Sequence, residues 1–200
     1  MIENKQLTKV DLATFQKGKS GNLRCGDAFV TIETDEYFLC AVADGLGSGE
    51  GAYRSAMIAM DIVEKHHTDP VPSLLEQCNQ ALMHERGVVI TILKVMYQTN
   101  EIVYGNIGNI GCMLFTHDGQ ALRPIPAPGY LSGRKFQYRM EHFPYRKGFS
   151  FILHSDGATF TTEQQRWLRQ MKNPEEVVSR MAETAKNSND DVTIVVGQVR

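Results

Sequence analysis

The sequence predicts an α+β fold in which a central β-sandwich of mainly antiparallel sheets is flanked by helices, in αββα layers. Three observations predict it. Short apolar runs separated only by turn residues follow one another, as in antiparallel meanders. Helical periodicity comes in two pairs, one after the first hairpin and one near the C-terminus. The regular alternation of strand and helix that builds a doubly wound parallel sheet is missing.

In chain order, Ala28 to Ile32 reads as a strand, Thr34-Asp35-Glu36 as its turn, and Tyr37 to Ala43 as a mostly apolar and therefore central strand. After a glycine run, Ala52, Ala56, Ala59, Ile62 and Val63 recur at helical spacing, giving a helix from near Glu50 to His66-His67. Asp69 to Ser73 stops it, and Ser73 caps a second helix carrying Leu74, Leu75, Cys78, Ala81 and Leu82. Strands follow at Val88 to Tyr97, Ile102 to Asn106 and Cys112 to Thr116, with turns at Thr99-Asn100 and His117-Asp118-Gly119. Phe136 to Phe143 and Phe149 to His154 are further strands. Helices at Glu163 to Met171 and Pro174 to Lys186, the latter with proline in its first turn, precede a closing strand at Val192 to Val199.

Bulk properties narrow the function classes. A chain of 200 residues fits a single domain, 1–200, with nothing appended, and can bury a sizeable core. A net charge of −2 gives no electrostatic case for nucleic acid or an acidic membrane as partner. Met1 to Lys5 has no apolar core of signal-peptide length, and no run approaches the roughly 20 apolar residues of a membrane helix. A soluble, cytoplasmic protein is expected. Cys25, Cys40, Cys78 and Cys112 form no C-x-x-C pair, so reduced and mostly buried thiols are expected in place of a zinc site.

The chemistry-bearing pattern is one of acidic residues at strand ends. Asp44, Asp156 and Asp190-Asp191 come from distant parts of the chain, yet each adjoins an apolar strand and a turn. If these ends converge, the carboxylates lose solvation, which costs several kcal/mol unless positive charge compensates. No Arg or Lys adjoins them in sequence. A divalent cation would supply the charge, and hard oxygen ligands select Mg²⁺ or Mn²⁺ over zinc. Asp-Gly pairs are also ordinary turns, which explains any one of them; Asp118-Gly119 is read only so. A second reading of the glycines after Asp44 is a phosphate cradle, since Gly47 to Ala52 matches G-x-G-x-x-A between a strand and a helix. A dinucleotide-binding oxidoreductase would need a strand next, where Ser73 to Arg86 reads as helix.

Taken in order, Cys25-Gly26-Asp27-Ala28-Phe29, Val42-Ala43-Asp44-Gly45, Gly105 to Asn109, His154-Ser155-Asp156-Gly157 and Asp190-Asp191-Val192-Thr193 resemble the motif series of the PPM family, the metal-dependent serine/threonine phosphatases of type 2C. The resemblance spans nearly the whole chain. Within the family, the short length, Asp44 to Gly49 and Gly129 to Gly133 resemble the bacterial stressosome feedback phosphatases.

The resemblance implies a β-sandwich with two Mn²⁺ or Mg²⁺ ions in the cleft at its edge. Asp44 would bridge them, the Gly45 carbonyl would bind one, and Asp156 with Asp190 the other, Asp190 being placed ahead of Asp191. Asp27 would orient metal-bound water. Two ions about 3.5–4 Å apart acidify a water that attacks phosphorus in line, so no phosphoenzyme is needed. The substrate implied is a phosphoserine or phosphothreonine protein, with stressosome scaffold proteins as the partner; a catalytically silent phosphoprotein-binding module is the alternative. The glycines after Asp44 are then expected to make room for metal, water and phosphate. Arg24 lies too close to Asp27 to match the family's phosphate-binding arginine, and no segment looks long enough for a flap over the cleft, whose rim includes Pro126 to Arg134. His154 reads first as a hydrogen-bonded structural residue and second as a general acid beside Asp156.

Overall fold

A computed structural model describes residues 1–171 and 173–200. Among the described residues, eleven strands form two antiparallel sheets. One sheet runs, in spatial order, β1 (Ile2–Gln6), β2 (Val10–Lys17), β11 (Val192–Val199), β10 (Ser150–His154), β7 (Gly111–Phe115) and β8 (Ala121–Leu122). The other runs β3 (Asp27–Glu33), β4 (Tyr37–Gly45), β5 (Val88–Met96), β6 (Glu101–Ile107) and β9 (Arg139–Pro144). Helices α1 (Glu50–Lys65) and α2 (Val71–Ala81) cover the second sheet, and α3 (Thr162–Arg169) and α4 (Pro174–Ala185) the first. This is the predicted sandwich flanked by helices.

The period of two along a strand explains why β4 is apolar on both faces. Phe38, Cys40 and Val42 enter the core between the sheets, with Leu93, Tyr104, Phe151, Leu153 and Val195. Leu39, Ala41 and Ala43 turn the other way and pack under Ala56, Ala59, Leu74 and Leu75 of α1 and α2. A third cluster joins Phe15, Ile152, Ile194 and Val196 to Val178, Met181 and Ala182 of α4. Burying a side chain of this size contributes roughly 1.5–3 kcal/mol, so removing one from β4 weakens a whole interface.

Several boundaries differ from the sequence reading, each for a physical reason. Strands β1 and β2 were not anticipated: β1 is exposed along its length and shows no apolar alternation, so only its pairing with β2 holds it. Helix α2 begins at Val71, behind Pro70 and without a side-chain cap, so Ser73 sits inside the first turn. Pro72 removes one of the N–H groups a cap would otherwise satisfy. Helix α3 begins with a capping box between Thr161 and Gln164. Strand β9 starts only at Arg139, opposite Asn106, while Phe136 belongs to the preceding loop. Among the described residues, no helix is long and apolar enough to cross a membrane.

Candidate metal centre

Strand register brings the acidic residues to one edge. Asp27, first residue of β3, is the direct partner of Asp44 near the end of β4. On β4 the even positions face the other sheet, so Asp44 continues the row of Phe38, Cys40 and Val42 into the mouth of the sandwich. On β3, Phe29 packs into that same core while Ala28 packs under the helices, which puts Asp27 on the inward row too. In the other sheet β10 ends at His154, paired with Ile194 of β11, so Asp156 just beyond β10 and Asp190-Asp191 just before β11 share one end.

Buried hydroxyls and amides tie the two sheets together there. Gln16 Nε2 donates to the Asp27 carbonyl at 3.2 Å and to Thr193 Oγ1 at 3.1 Å, and the Thr193 N–H donates to Ser155 Oγ at 2.8 Å. Asn109 Nδ2 donates to Asp156 Oδ2 at 2.9 Å and so orients that carboxylate. Asn106, fully buried, donates to Thr91 Oγ1 at 2.9 Å and accepts from the Ala127 N–H at 2.9 Å, bracing the corner that carries Asn109. Of these, Gln16 fell in a stretch with no predicted element. Ser155, Thr193 and Asn109 stood inside quoted motifs, but hydroxyl and amide roles leave no periodic signal.

Electrostatically the site is short of positive charge. Burial pushes the Asp27 carboxyl up to about 7, with Asp191 and Asp156 adding to it against the nearby Ser155 and Thr193 hydroxyls. Burial pushes Asp44 up to about 8, and Asp27, Asp156, Asp190 and Asp191 all contribute repulsion. Five carboxylates therefore share one field. Both Asp27 oxygens are buried without a hydrogen bond, the Ser155 and Thr193 hydroxyls lying near without meeting bonding geometry. Such orphaned acceptors are costly and ask for a cation or an ordered water. Among the described residues no three His, Cys, Asp or Glu side chains already close around one point. Spaced carboxylates on an open rim suit Mg²⁺ or Mn²⁺, which keep several waters and need only one or two carboxylates each.

Asp190 and Asp191 differ in how free they are. Asp191 is 6% exposed, and its Oδ1 accepts the Lys19 N–H at 2.7 Å. Asp190 is exposed, with Lys19 Nζ 3.7 Å away, a cation near the cluster that adjacency in sequence did not reveal. Asp190 Oδ1 also accepts the Asp191 N–H at 3.0 Å, so Oδ2 is the oxygen that Asp190 leaves open to solvent.

The glycines after Asp44 correct an expectation. A Cβ on Gly45 would lie 2.0 Å from the Ala52 carbonyl oxygen, so Gly45 is required for α1 to pack on β4. On Gly47 and Gly51 it would meet the Arg86 side chain at 2.9 and 2.5 Å. Arg86, which sequence reasoning passed over, lies across this loop and donates to the Ser48 carbonyl at 3.1 Å. Three of these glycines thus make room for protein atoms. Arg24 is engaged away from the carboxylates, 3.6 Å from Glu50 and over the Tyr53 ring.

The expectation of no flap-length segment is also corrected. Residues 123–138 join β8 to β9 over the rim. They are pinned by paired backbone bonds between Leu131 and Val88 and by Asn79 Oδ1, which accepts from the Ser132 and Gly133 N–H groups at 3.0 and 2.9 Å. Part of this segment reads as strand in the sequence because Phe136, Tyr138, Met140 and Phe143 are apolar. His154 is structural in its contacts: its Nδ1 lies 2.9 Å from the Ser155 carbonyl, its ring stands edge-on to Phe160, and Gly111 leaves space for it.

A family model described as Stage II sporulation protein E (SpoIIE) matches residues 34–200. The phosphoserine phosphatase RsbX of Bacillus subtilis (strain 168) is 33% identical over 199 residues, covering 100% of both chains. A crystal structure of RsbX in complex with magnesium superposes with a TM-score of 0.94 at 33% identity, again over 100% of both chains. A chain from a structure described as "The bacterial stressosome: a modular system that has been adapted to control secondary messenger signaling" superposes at 0.86 with 26% identity, over 95% of this chain and 100% of that one. The motif series and the matched length agree: the chain belongs to the SpoIIE family of PPM, or type 2C, phosphatases.

Proposed function

We propose that the protein hydrolyses phosphoserine or phosphothreonine on a protein partner, using two Mn²⁺ or Mg²⁺ ions held by Asp44, the Gly45 carbonyl, Asp156 and Asp190. The observation that supports it most directly is the meeting of Asp27 and Asp44 from one sheet with Asp156 and Asp190 from the other at a rim where Asp27 has two unsatisfied oxygens. When bound, such a pair of ions acidifies water and neutralises phosphoryl charge.

The chain's own residues do the rest. Asp44 stands on the inward row, where it can reach both sides of the cleft. Asn109 fixes the rotamer of Asp156 through its Oδ2, leaving Oδ1 as the free donor atom. Asp27, deeper than Asp44, accepts a water hydrogen at its unsatisfied carboxylate and thereby orients the water's lone pair outwards. Asp191 holds the strand entrance through the Lys19 amide, which leaves the exposed Asp190 to offer its Oδ2 to an ion. The partner is a phosphorylated stressosome protein, an assignment that rests on likeness to RsbX and to the stressosome chain. The four free cysteines support work in a reducing cytoplasm.

The test is hydrolysis of an aryl phosphate and of a phosphoserine protein with Mn²⁺, with chelator and in Asp44→Asn. Metal-stimulated release that falls about 10²–10³-fold in the folded variant is expected. Turnover that survives both chelation and Asp44→Asn would rule the site out.

A further inference from the structure

Residues 123–138 do more than border the carboxylates. Beside Asn109, which touches Asp156, a cleft of about 410 Å³ opens between Val89, Gly108 and Pro126 to Gly129. Pro128 and Gly129 also line a second cleft of about 450 Å³, walled by Tyr130, Arg134, Lys135 and Phe136. The two clefts adjoin at Pro128 and Gly129 and together make a trough that begins beside Asn109. Its near end is fixed to the site by register, since Val89 is the partner of Asp44.

We propose that this trough docks an acidic stretch of the phosphorylated partner, next to the residue being dephosphorylated. The inference rests on the phosphatase reading of the neighbouring carboxylates. Charge complementarity selects the occupant. No carboxylate lines either cleft, and Arg134 and Lys135 are exposed with no acidic partner among the described residues. Glu141, on the adjoining strand β9, is already held by Arg139 at 3.0 Å. An acidic segment is repelled by the aspartate cluster and attracted by this trough, so the charge pattern sets the direction in which the partner lies. Tyr130, 45% exposed, and the paired rings of Phe136 and Tyr138 add apolar contact area. The platform is already ordered: Asn79 Nδ2 donates to the Arg134 carbonyl at 2.9 Å while its Oδ1 holds Ser132 and Gly133. Docking on it costs little loop entropy.

The test compares the wild type with the double variant Arg134→Glu, Lys135→Glu on three substrates: an aryl phosphate, a phosphoserine peptide with acidic flanks, and the same peptide with lysine flanks. Aryl phosphate turnover is expected to stay unchanged, which also shows that the variant folds. On the acidic peptide kcat/KM is expected to fall at least about tenfold, since like charges brought together are strongly disfavoured, while the lysine peptide improves. Equal loss on both peptides, or a wild-type preference for lysine flanks, overturns the proposal. Should the wild type release no phosphate even from the aryl ester, the phosphatase reading fails. Fluorescence anisotropy of the acidic peptide then decides the trough separately: weaker binding to the variant supports it and equal binding overturns it. If a second copy of the chain fills the trough, self-association lost in the double variant reveals it and overturns the proposal.

Discussion

Asp27 and Asp44 stand opposite each other across the β3–β4 pair, both on the strand face that turns towards the other sheet, the one that carries β10 and β11. Burial first, and then repulsion from neighbouring carboxylates, disfavours ionisation of both, so the protein binds protons more readily folded than unfolded. Between the usual carboxylate value of 3.8 and about 8, the folded chain therefore carries more protons. Stability falls wherever the folded state is the better proton binder and pH rises. Metal-stripped protein is thus expected to lose a few kcal/mol from pH 5 to pH 8, less than full burial would give because solvent reaches Asp44. Thermal melts at both pH values measure it. Asp44→Asn should flatten the dependence, and Mn²⁺ should reverse it by favouring the ionised forms.

Asp190 and Asp191 are neighbours with different work, and paired substitutions should separate them. Asp190→Asn removes an exposed oxygen donor, so it should weaken metal-dependent activity strongly while leaving the melting temperature nearly unchanged. Asp191→Ala leaves the half-buried Lys19 N–H without its acceptor, which costs about 1 kcal/mol. Metal titration followed by melting of each variant checks the division. A reversal, with Asp191→Ala stable and metal-blind, would exchange the two assignments.

Glycine substitutions should split by what stands in the way. At Gly45 the obstacle is the Ala52 backbone, which cannot move without lifting α1 off the sheet. Gly45→Ala should cost about 3 kcal/mol or more, or prevent folding. At Gly51 the obstacle is the flexible Arg86 side chain, and alanine favours a helix by roughly 0.5–1 kcal/mol over glycine. Gly51→Ala should therefore fold at least as well as the parent, with Arg86 displaced from the Ser48 carbonyl. Urea melts of both variants measure the contrast.

Much of this was legible because it leaves periodic marks. The two-sided apolar run of β4, the hairpin from β3 and the helical spacing of α1 follow directly from burial, and the strand-end aspartates stood out against that background. What escaped depends on pairing and on space. Strand β1 is exposed throughout, so nothing in its residues announces the bond to β2. The glycines suggest room for a ligand, because a sequence cannot show that Arg86, far along the chain, folds back onto Gly47 and Gly51. Residues 123–138 hold their shape through Asn79, a buried amide on a distant helix.

His154 lies two residues before Asp156, which made a proton-donating role worth weighing. Its surroundings argue otherwise. The ring is wedged between Gly111 and Phe160, with Nδ1 against the Ser155 carbonyl, a contact in which Nδ1 carries the hydrogen. Burial lowers its pKa below the usual 6.5, so the ring stays neutral where free histidine would begin to charge. Because the unfolded state then binds the extra proton, this residue destabilises the fold as pH drops below that value. His154→Gln is therefore expected to lower the melting temperature at pH 7 through lost packing, yet to soften the further loss on acidification. The pH profile of kcat/KM on an aryl phosphate should keep its shape. A shifted limb in that profile would instead place His154 in the proton transfer.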